Sequence, residues 1–154
     1  MFAGFLVTLL LVLPLLAWAS VSDLKQRIIP NRLNLALAAF APIAWAVTPV
    51  SPLEIGVRIG LAVALFALFA LFMALGQMGG GDVKLGGALV LWLRPSEALP
   101  FLVHTAIAGG IVTLLTLAWH RLARRPGRPE VPYGLALVAG ALAAFTQRYL
   151  NHFA

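Results

Sequence analysis

The sequence contains only two aspartates, and each stands in a short segment of unusual composition. Asp23 begins the polar, basic segment DLKQRIIPN, and Asp82 follows three glycines in the segment GGGDVKL. When two carboxyl groups share a site, charge repulsion and burial raise the pKa of one of them. The ionised group can then activate a water molecule while its protonated partner polarises a peptide carbonyl. The pair therefore predicts the chemistry of an aspartic peptidase, provided that the fold brings both side chains together.

Each aspartate also has an ordinary structural interpretation. An aspartate after glycines is a favourable N-cap for the helix that follows, and an aspartate among basic residues often only solvates a membrane interface. The glycines favour the peptidase, because Gly79, Gly80 and Gly81 leave room for an extended peptide and allow a positive φ in a tight loop. From the residues alone the two interpretations are evenly balanced.

The composition places both aspartates in a membrane protein. Of the 154 residues, 62% are hydrophobic and 10% are charged, whereas soluble domains carry about a quarter of their residues as Asp, Glu, Lys or Arg. The net charge of +6 does not indicate nucleic-acid binding, since no basic stretch is interleaved with aromatic residues. The sequence has no cysteine, which excludes disulfides and thiolate chemistry. We expect no metal and no cofactor.

Six apolar stretches predict six transmembrane helices in one all-α domain that covers residues 1–154. A bilayer core of about 30 Å needs about 20 apolar residues, so the shorter stretches must borrow flanking residues. The predicted crossings are Phe2–Val21, Leu33–Val47, Ile59–Leu75, Val83–Leu93, Leu99–Trp119 and Tyr133–Leu150. The fourth covers only about 17 Å, so it begins or ends inside the membrane. We expect the loop that holds Asp82 to dip below the lipid headgroups.

The distribution of basic residues predicts how these helices are oriented. Cytoplasmic loops collect Lys and Arg. If successive loops alternate between the two sides of the membrane over six crossings, eight basic residues lie on one side and three on the other. The eight are Lys25, Arg27, Arg32, Lys84, Arg121, Arg124, Arg125 and Arg128, and the three are Arg58, Arg94 and Arg148. We therefore expect both termini outside and both aspartates at the cytoplasmic face.

Three motifs, in this order, resemble the type IV prepilin peptidase family of G-x-G-D aspartyl membrane proteases. They are Asp23 with the basic stretch and Ile-Pro-Asn after it, the G-x-G-D-x-K-L segment around Asp82, and Pro-Tyr-Gly at the start of the last helix. The resemblance covers nearly the whole chain and implies that Asp23 and Asp82 are catalytic. It assigns supporting positions to Lys25, Pro30, Asn31, Gly79, Gly81, Lys84, Pro132, Tyr133 and Gly134.

Some of these supporting residues have expected roles. Pro30 and Asn31 resemble a turn that starts the second helix and fixes the approach of Asp23. The Lys84 ammonium could bias which aspartate holds the proton, or it could reach the lipid headgroups. Many family members have a proline where this chain has Leu135, so we expect a looser turn there.

The resemblance also implies a substrate and a location. The substrate would be a prepilin or pseudopilin whose short basic leader ends in glycine and is followed by a hydrophobic helix, cleaved at the cytoplasmic face of the bacterial inner membrane. Larger members carry a methyltransferase region with a cysteine cluster, which this sequence lacks. We therefore expect no N-methylation, and the compact form resembles the peptidases of Tad or Flp pilus systems. The alternative is a noncatalytic transporter or pilus-assembly scaffold whose aspartates bind a cation or a proton.

The sequence leaves open how close the two carboxyls lie to each other. Asp23 is expected in a basic loop and Asp82 in a glycine loop, and both kinds of loop are flexible. Two ionised carboxyls about 4 Å apart repel by about 4 kcal/mol at an effective dielectric constant of about 20. An empty site would therefore either share one proton between the two carboxyls or let the two loops separate, and a bound substrate would bring the carboxyls together.

Overall fold

The computed structural model is all-helical over the residues that it describes, which are 2–124, 126–127, 129 and 131–153. Its helices are α1 (Phe2–Gln26), α2 (Asn31–Val47), α3 (Pro52–Ala74), α4 (Gly80–Val90), α5 (Ala98–Leu122) and α6 (Tyr133–Phe153), with a 3₁₀ turn (Pro95–Glu97) before α5. The predicted all-α class is confirmed for this part of the chain. Arg125 and Arg128, which entered the charge count, lie outside the described residues.

Among the described residues, three helices are long and apolar enough to cross a membrane. They cover Gly4–Gln26, Pro52–Ala74 and Pro95–Leu122, the last of which includes the 3₁₀ turn. Their outward surfaces carry large apolar side chains, such as Leu10, Leu53 and Leu114. The protein is thus a membrane protein, while the predicted crossings at α2, α4 and α6 stay predictions.

The shortest helix, α4, forms the centre of the bundle. It packs against α2, α3 and α6, while α5 packs mainly on α6 and α1 packs on α2 and α6. The helix is buried from Val83 onwards apart from Lys84. Gly87 allows α3 to approach, since a Cβ there would lie 3.1 Å from the Phe66 ring. Because α4 is held on several sides, its first turn has a fixed position inside the protein.

The two ends of the bundle differ in their polar groups. Arg58, Arg94 and Arg148, the smaller group in the charge count, line one cavity of about 350 Å³. There Arg58 pairs with Glu54 at 2.6 Å, and Arg148 pairs with Glu97. This cavity lies at the end where α3 starts and α4 stops, whereas Asp23 and Asp82 lie at the other end, which we name the aspartate end.

Candidate active site

Asp23 lies in the last turn of α1 and is only 4% exposed. The amide of Arg27 donates to the Asp23 carbonyl at 3.0 Å and so closes this turn. Arg27 then takes a left-handed conformation with φ 54°, which reverses the chain. The Ser22 hydroxyl holds the reversed segment by donating to the Ile28 carbonyl at 2.6 Å. The prediction of a flexible loop at Asp23 is therefore wrong, because the helix continues past the apolar stretch to Gln26.

Asp82 lies in the first turn of α4 and is half-buried. Gly79 is the N-cap residue, and its carbonyl accepts from the amides of Asp82 at 3.1 Å and Val83 at 3.2 Å. Gly80 and Gly81 are already helical, so the predicted tight glycine loop is wrong at these two residues. Gly79 has φ −77°, which needs no glycine.

Gly81 is needed for a close approach between two segments. A Cβ on Gly81 would lie 3.2 Å from Cβ of Ile29 and 3.4 Å from its carbonyl oxygen. The Gly81 carbonyl also accepts from Nδ2 of Asn34 at 3.3 Å. The start of α4 thus packs directly on the segment that follows Asp23, and this contact sets the position of Asp82 relative to α1.

The start of α2 completes this attachment. Pro30 is the N-cap residue of α2 with φ −62° and ψ 138°, as expected for the turn that starts this helix. The Lys84 ammonium donates to Oδ1 of Asn31 at 2.9 Å. Lys84 therefore joins α4 to α2, a contact that the sequence did not predict. Lys25 is exposed on α1 and takes no part in these contacts.

The start of α6 meets the Asp23 carboxylate. The amide of Leu135 donates to Oδ2 of Asp23 at 3.0 Å, and the positive end of the helix dipole favours a negative charge there. A Cβ on Gly134 would lie 2.8 Å from the same oxygen and 2.6 Å from Cδ1 of Ile29. Only glycine fits at this contact. The looser turn expected at Leu135 is not observed, and Leu135 supplies a donor that proline lacks.

Pro132 and Tyr133 position the two amides that follow them. Pro132 is buried directly before α6, and Tyr133 is its first residue, so the predicted start of the last helix is confirmed. The Tyr133 ring packs toward α5, with Cε1 3.9 Å from the place of a Gly109 Cβ.

One backbone amide acts on both carboxyls. The amide of Gly134 favours the charged forms of Asp23 and of Asp82. Burial and then repulsion from Asp23 raise the pKa of Asp82 to about 6, although the amides of Gly79 and Gly134 oppose this rise. Of the two arrangements expected for an empty site, separated loops are not observed, because both aspartates belong to packed helices.

The sequence missed four contributors to this site: Ser22, Ile29, Asn34 and Leu135. Asn34 left a signal, since a polar amide inside a predicted crossing marks a site by default. Ile29 and Leu135 stand in or beside the quoted motifs, but an apolar side chain does not show that its backbone or its shape completes a polar site.

The fold and the site define a class of protein: a helical membrane protein with two electrostatically coupled carboxyl groups at one end of the bundle. The model of the type IV leader peptidase family matches residues 4–114, so the chain belongs to this family. A protein of Bacillus subtilis (strain 168), the "Prepilin leader peptidase/N-methyltransferase", is 26% identical over 131 residues, which are 85% of this chain and 52% of that protein. The chain therefore spans about half the length of this relative. No solved structure matches the chain.

Proposed function

We propose that this chain is an aspartic endopeptidase of the membrane that removes the leader from prepilins or pseudopilins. The observation that carries the proposal is that Asp23 and Asp82 lie on packed helices at the same end of the bundle, close enough for the charge of Asp23 to act on Asp82. Membership of the leader peptidase family supports the reaction, and the named activity of the Bacillus relative supports the substrate class. Residues 1–154 act as one domain, and no cofactor takes part.

Burial disfavours the charged form of both carboxyls, and the two differ in the groups that oppose or add to this effect. Asp23 accepts a hydrogen bond from Leu135 at the positive end of α6, which stabilises its charged form. Asp82 has a pKa raised to about 6 and holds a proton more readily than an ordinary aspartate. We therefore assign Asp23 as the general base and Asp82 as the general acid.

The reaction then proceeds in two steps. Asp23 takes a proton from a water molecule whose oxygen attacks the peptide carbonyl, while Asp82 gives its proton to the carbonyl oxygen. In the second step Asp23 passes its proton to the leaving amine as the carbon–nitrogen bond breaks. A hydroxyl proton of the intermediate returns to Asp82, so both groups regain their starting states.

The position of the site suits a substrate that enters from the bilayer. A leader ending in glycine would lie at the aspartate end, and the apolar helix after it would remain in the membrane. We propose that this end faces the cytoplasm at the inner membrane, that the substrate is of the Flp type, and that six helices cross the bilayer. A gel-shift assay on a coexpressed Flp-type prepilin tests the cleavage, since processing shortens the substrate.

The proposed topology predicts where reporter fusions will lie. Reporters fused after Arg27, Lys84 and Arg125 should read cytoplasm, and those after Pro52 and Ser96 the outer side, because α4 would cross the membrane despite its length. Paired alkaline phosphatase and fluorescent-protein fusions measure this. A cytoplasmic reading after Ser96 would show that α4 enters and leaves on one side, and six crossings would be wrong.

The raised pKa of Asp82 predicts a pH-dependent labelling pattern. A carbodiimide reacts with protonated carboxyls, so labelling of Asp82 should fall as the pH rises through about 6. The Asp23→Asn variant should shift this midpoint to lower pH, because it removes the repulsion and leaves the burial. Mass spectrometry of the labelled peptide gives both midpoints, and equal midpoints would contradict the coupling between the two carboxyls.

The same raised pKa predicts a pH dependence of stability. Because the pKa of Asp82 in the folded protein lies above the usual 3.8, the contribution of Asp82 to the free energy of unfolding should fall as the pH rises from about 4 to about 6.

A further inference from the structure

An apolar groove of about 650 Å³ runs between α3 and α5. Leu68 and Phe72 line it on α3, and Gly110 and Leu114 line it on α5. Phe72 and Leu114 are exposed on the outer surface of the bundle, so the groove opens toward the lipid along its side.

This groove reaches the candidate active site at its aspartate end. Gln77, Met78 and Tyr133 line it there. Met78 directly precedes Gly79, and Tyr133 directly precedes Gly134. These two glycines supply the amides that act on Asp82. Two residues that line the groove are thus chain neighbours of the two glycines whose amides act on Asp82.

A second apolar groove, between α2 and α3, is less suited to the same purpose. Asn31, Arg32, Asn34 and Lys84 line its aspartate end. The bridges from Lys84 to Asn31 and from Asn34 to the start of α4 close this end toward the carboxyls. Arg32 and Lys84 would also repel a basic leader, whereas the residues described along the α3–α5 groove include no charged side chain.

We propose that the α3–α5 groove binds the apolar helix of the substrate, with the start of that helix at Asp23 and Asp82. This inference rests on the proposed function, since cleavage at the junction of leader and helix requires the helix to lie beside the carboxyls. From Leu102 to Leu114 the groove follows α5 for about 18 Å, more than half of the hydrocarbon core. Small side chains on this stretch, Ala106, Gly110 and Thr113, let a second helix approach closely.

Filling the groove should slow cleavage, and the chain offers a matched control. A Cβ on Gly110 meets nothing within 4 Å, and the same holds for Gly60, which is exposed on α3 and lines neither groove. Both Gly110→Leu and Gly60→Leu should therefore fold. With a synthetic polypeptide that carries a basic leader ending in glycine and an apolar helix, Gly110→Leu should raise KM about tenfold or more, while Gly60→Leu should stay within about twofold of the parent chain.

Disulfide crosslinking locates the helix independently of catalysis. The chain has no cysteine, so Gly110→Cys, Gly60→Cys and Val63→Cys each introduce one thiol, the last of them in the α2–α3 groove. Each thiol is combined with Asp82→Asn, so that the substrate is not cleaved. A series of the same polypeptides carries one cysteine at successive positions over two turns of the apolar helix. These polypeptides should form a disulfide with Gly110→Cys, and only background crosslinking is expected with Gly60→Cys.

The outcomes separate this inference from the proposed function. If the parent chain cleaves the substrate and crosslinking is equal at positions 110 and 60, the proposed binding of the substrate helix in the groove is wrong, and lipid occupies the groove. The proposed peptidase activity would still stand. Stronger crosslinking at Val63→Cys than at Gly110→Cys would overturn it in favour of the second groove. Crosslinking at position 110 without cleavage by the parent chain would support docking and contradict the peptidase.

Discussion

Asp23→Asn and Asp82→Asn are each expected to abolish leader cleavage, with a loss of about a thousandfold or more. An amide can neither accept the proton of the attacking water nor donate one to the peptide carbonyl. Asparagine keeps the size of aspartate and one acceptor oxygen, so the hydrogen bond from Leu135 to position 23 can persist. The rate of conversion of a prepilin to its shorter form, measured at equal amounts of enzyme in the membrane, gives the result.

The stability of the same variants separates catalysis from folding. Above pH 6 Asp82→Asn removes a half-buried charge that Asp23 repels, so this variant should unfold at the same temperature as the parent chain or higher. If a variant loses cleavage and is also unfolded, the loss of activity is explained by unfolding, and this expectation is contradicted. Retained cleavage in either variant would contradict the catalytic pair itself.

The catalytic candidates could be predicted from the sequence because their signal is local. Two aspartates in a chain with 10% charged residues are conspicuous, since ionisable groups in a membrane protein are costly. The start of α6 at Tyr133 was also predictable, because a proline directly before an apolar stretch favours a helix start.

The elements that carry the two aspartates were predicted less well. The apolar stretch stops at Val21, but the next residues include Leu24, Lys25 and Gln26, which are good helix formers, so α1 continues through Asp23. Hydropathy therefore located the membrane-spanning part and missed the end of the helix. At Gly80 and Gly81 the error was the opposite, a loop predicted where the structure has a helix. Glycine is a poor helix former and therefore predicted a loop, whereas the packing around α4 stabilises a helix there.

The contacts that bring the aspartates together could not be predicted, because they join residues far apart in the chain. Gly81 packs on Ile29, and Gly134 packs on Asp23 and Ile29. A glycine in the sequence indicates either a special φ or a close approach, and only the fold decides between them. For Gly81 the sequence identified the residue and gave the wrong reason.

Gly134→Ala is expected to lower the cleavage rate about a hundredfold. The new Cβ would lie 2.8 Å from Oδ2 of Asp23 and 2.6 Å from Cδ1 of Ile29. Ile29 can move its terminal methyl, but the Asp23 carboxylate must leave its place beside α6. A displacement of about 1 Å of a catalytic group can cost about 10²-fold in rate. Gly60→Ala is the matched control, because its Cβ meets nothing within 4 Å, and its rate should equal that of the parent chain.

A second pair of variants at the same helix start tests the hydrogen bond without the steric clash. Leu135→Pro removes the amide that donates to Asp23, while the first turn of a helix tolerates proline. A hydrogen bond to a charged group contributes about 1.5–3 kcal/mol, so this variant should cleave at least about tenfold more slowly. Leu135→Ala keeps the amide and should lose little activity. If both variants cleave at the same rate, the amide does not stabilise the charged Asp23, and the assignment of Asp23 as the base must be exchanged with that of Asp82.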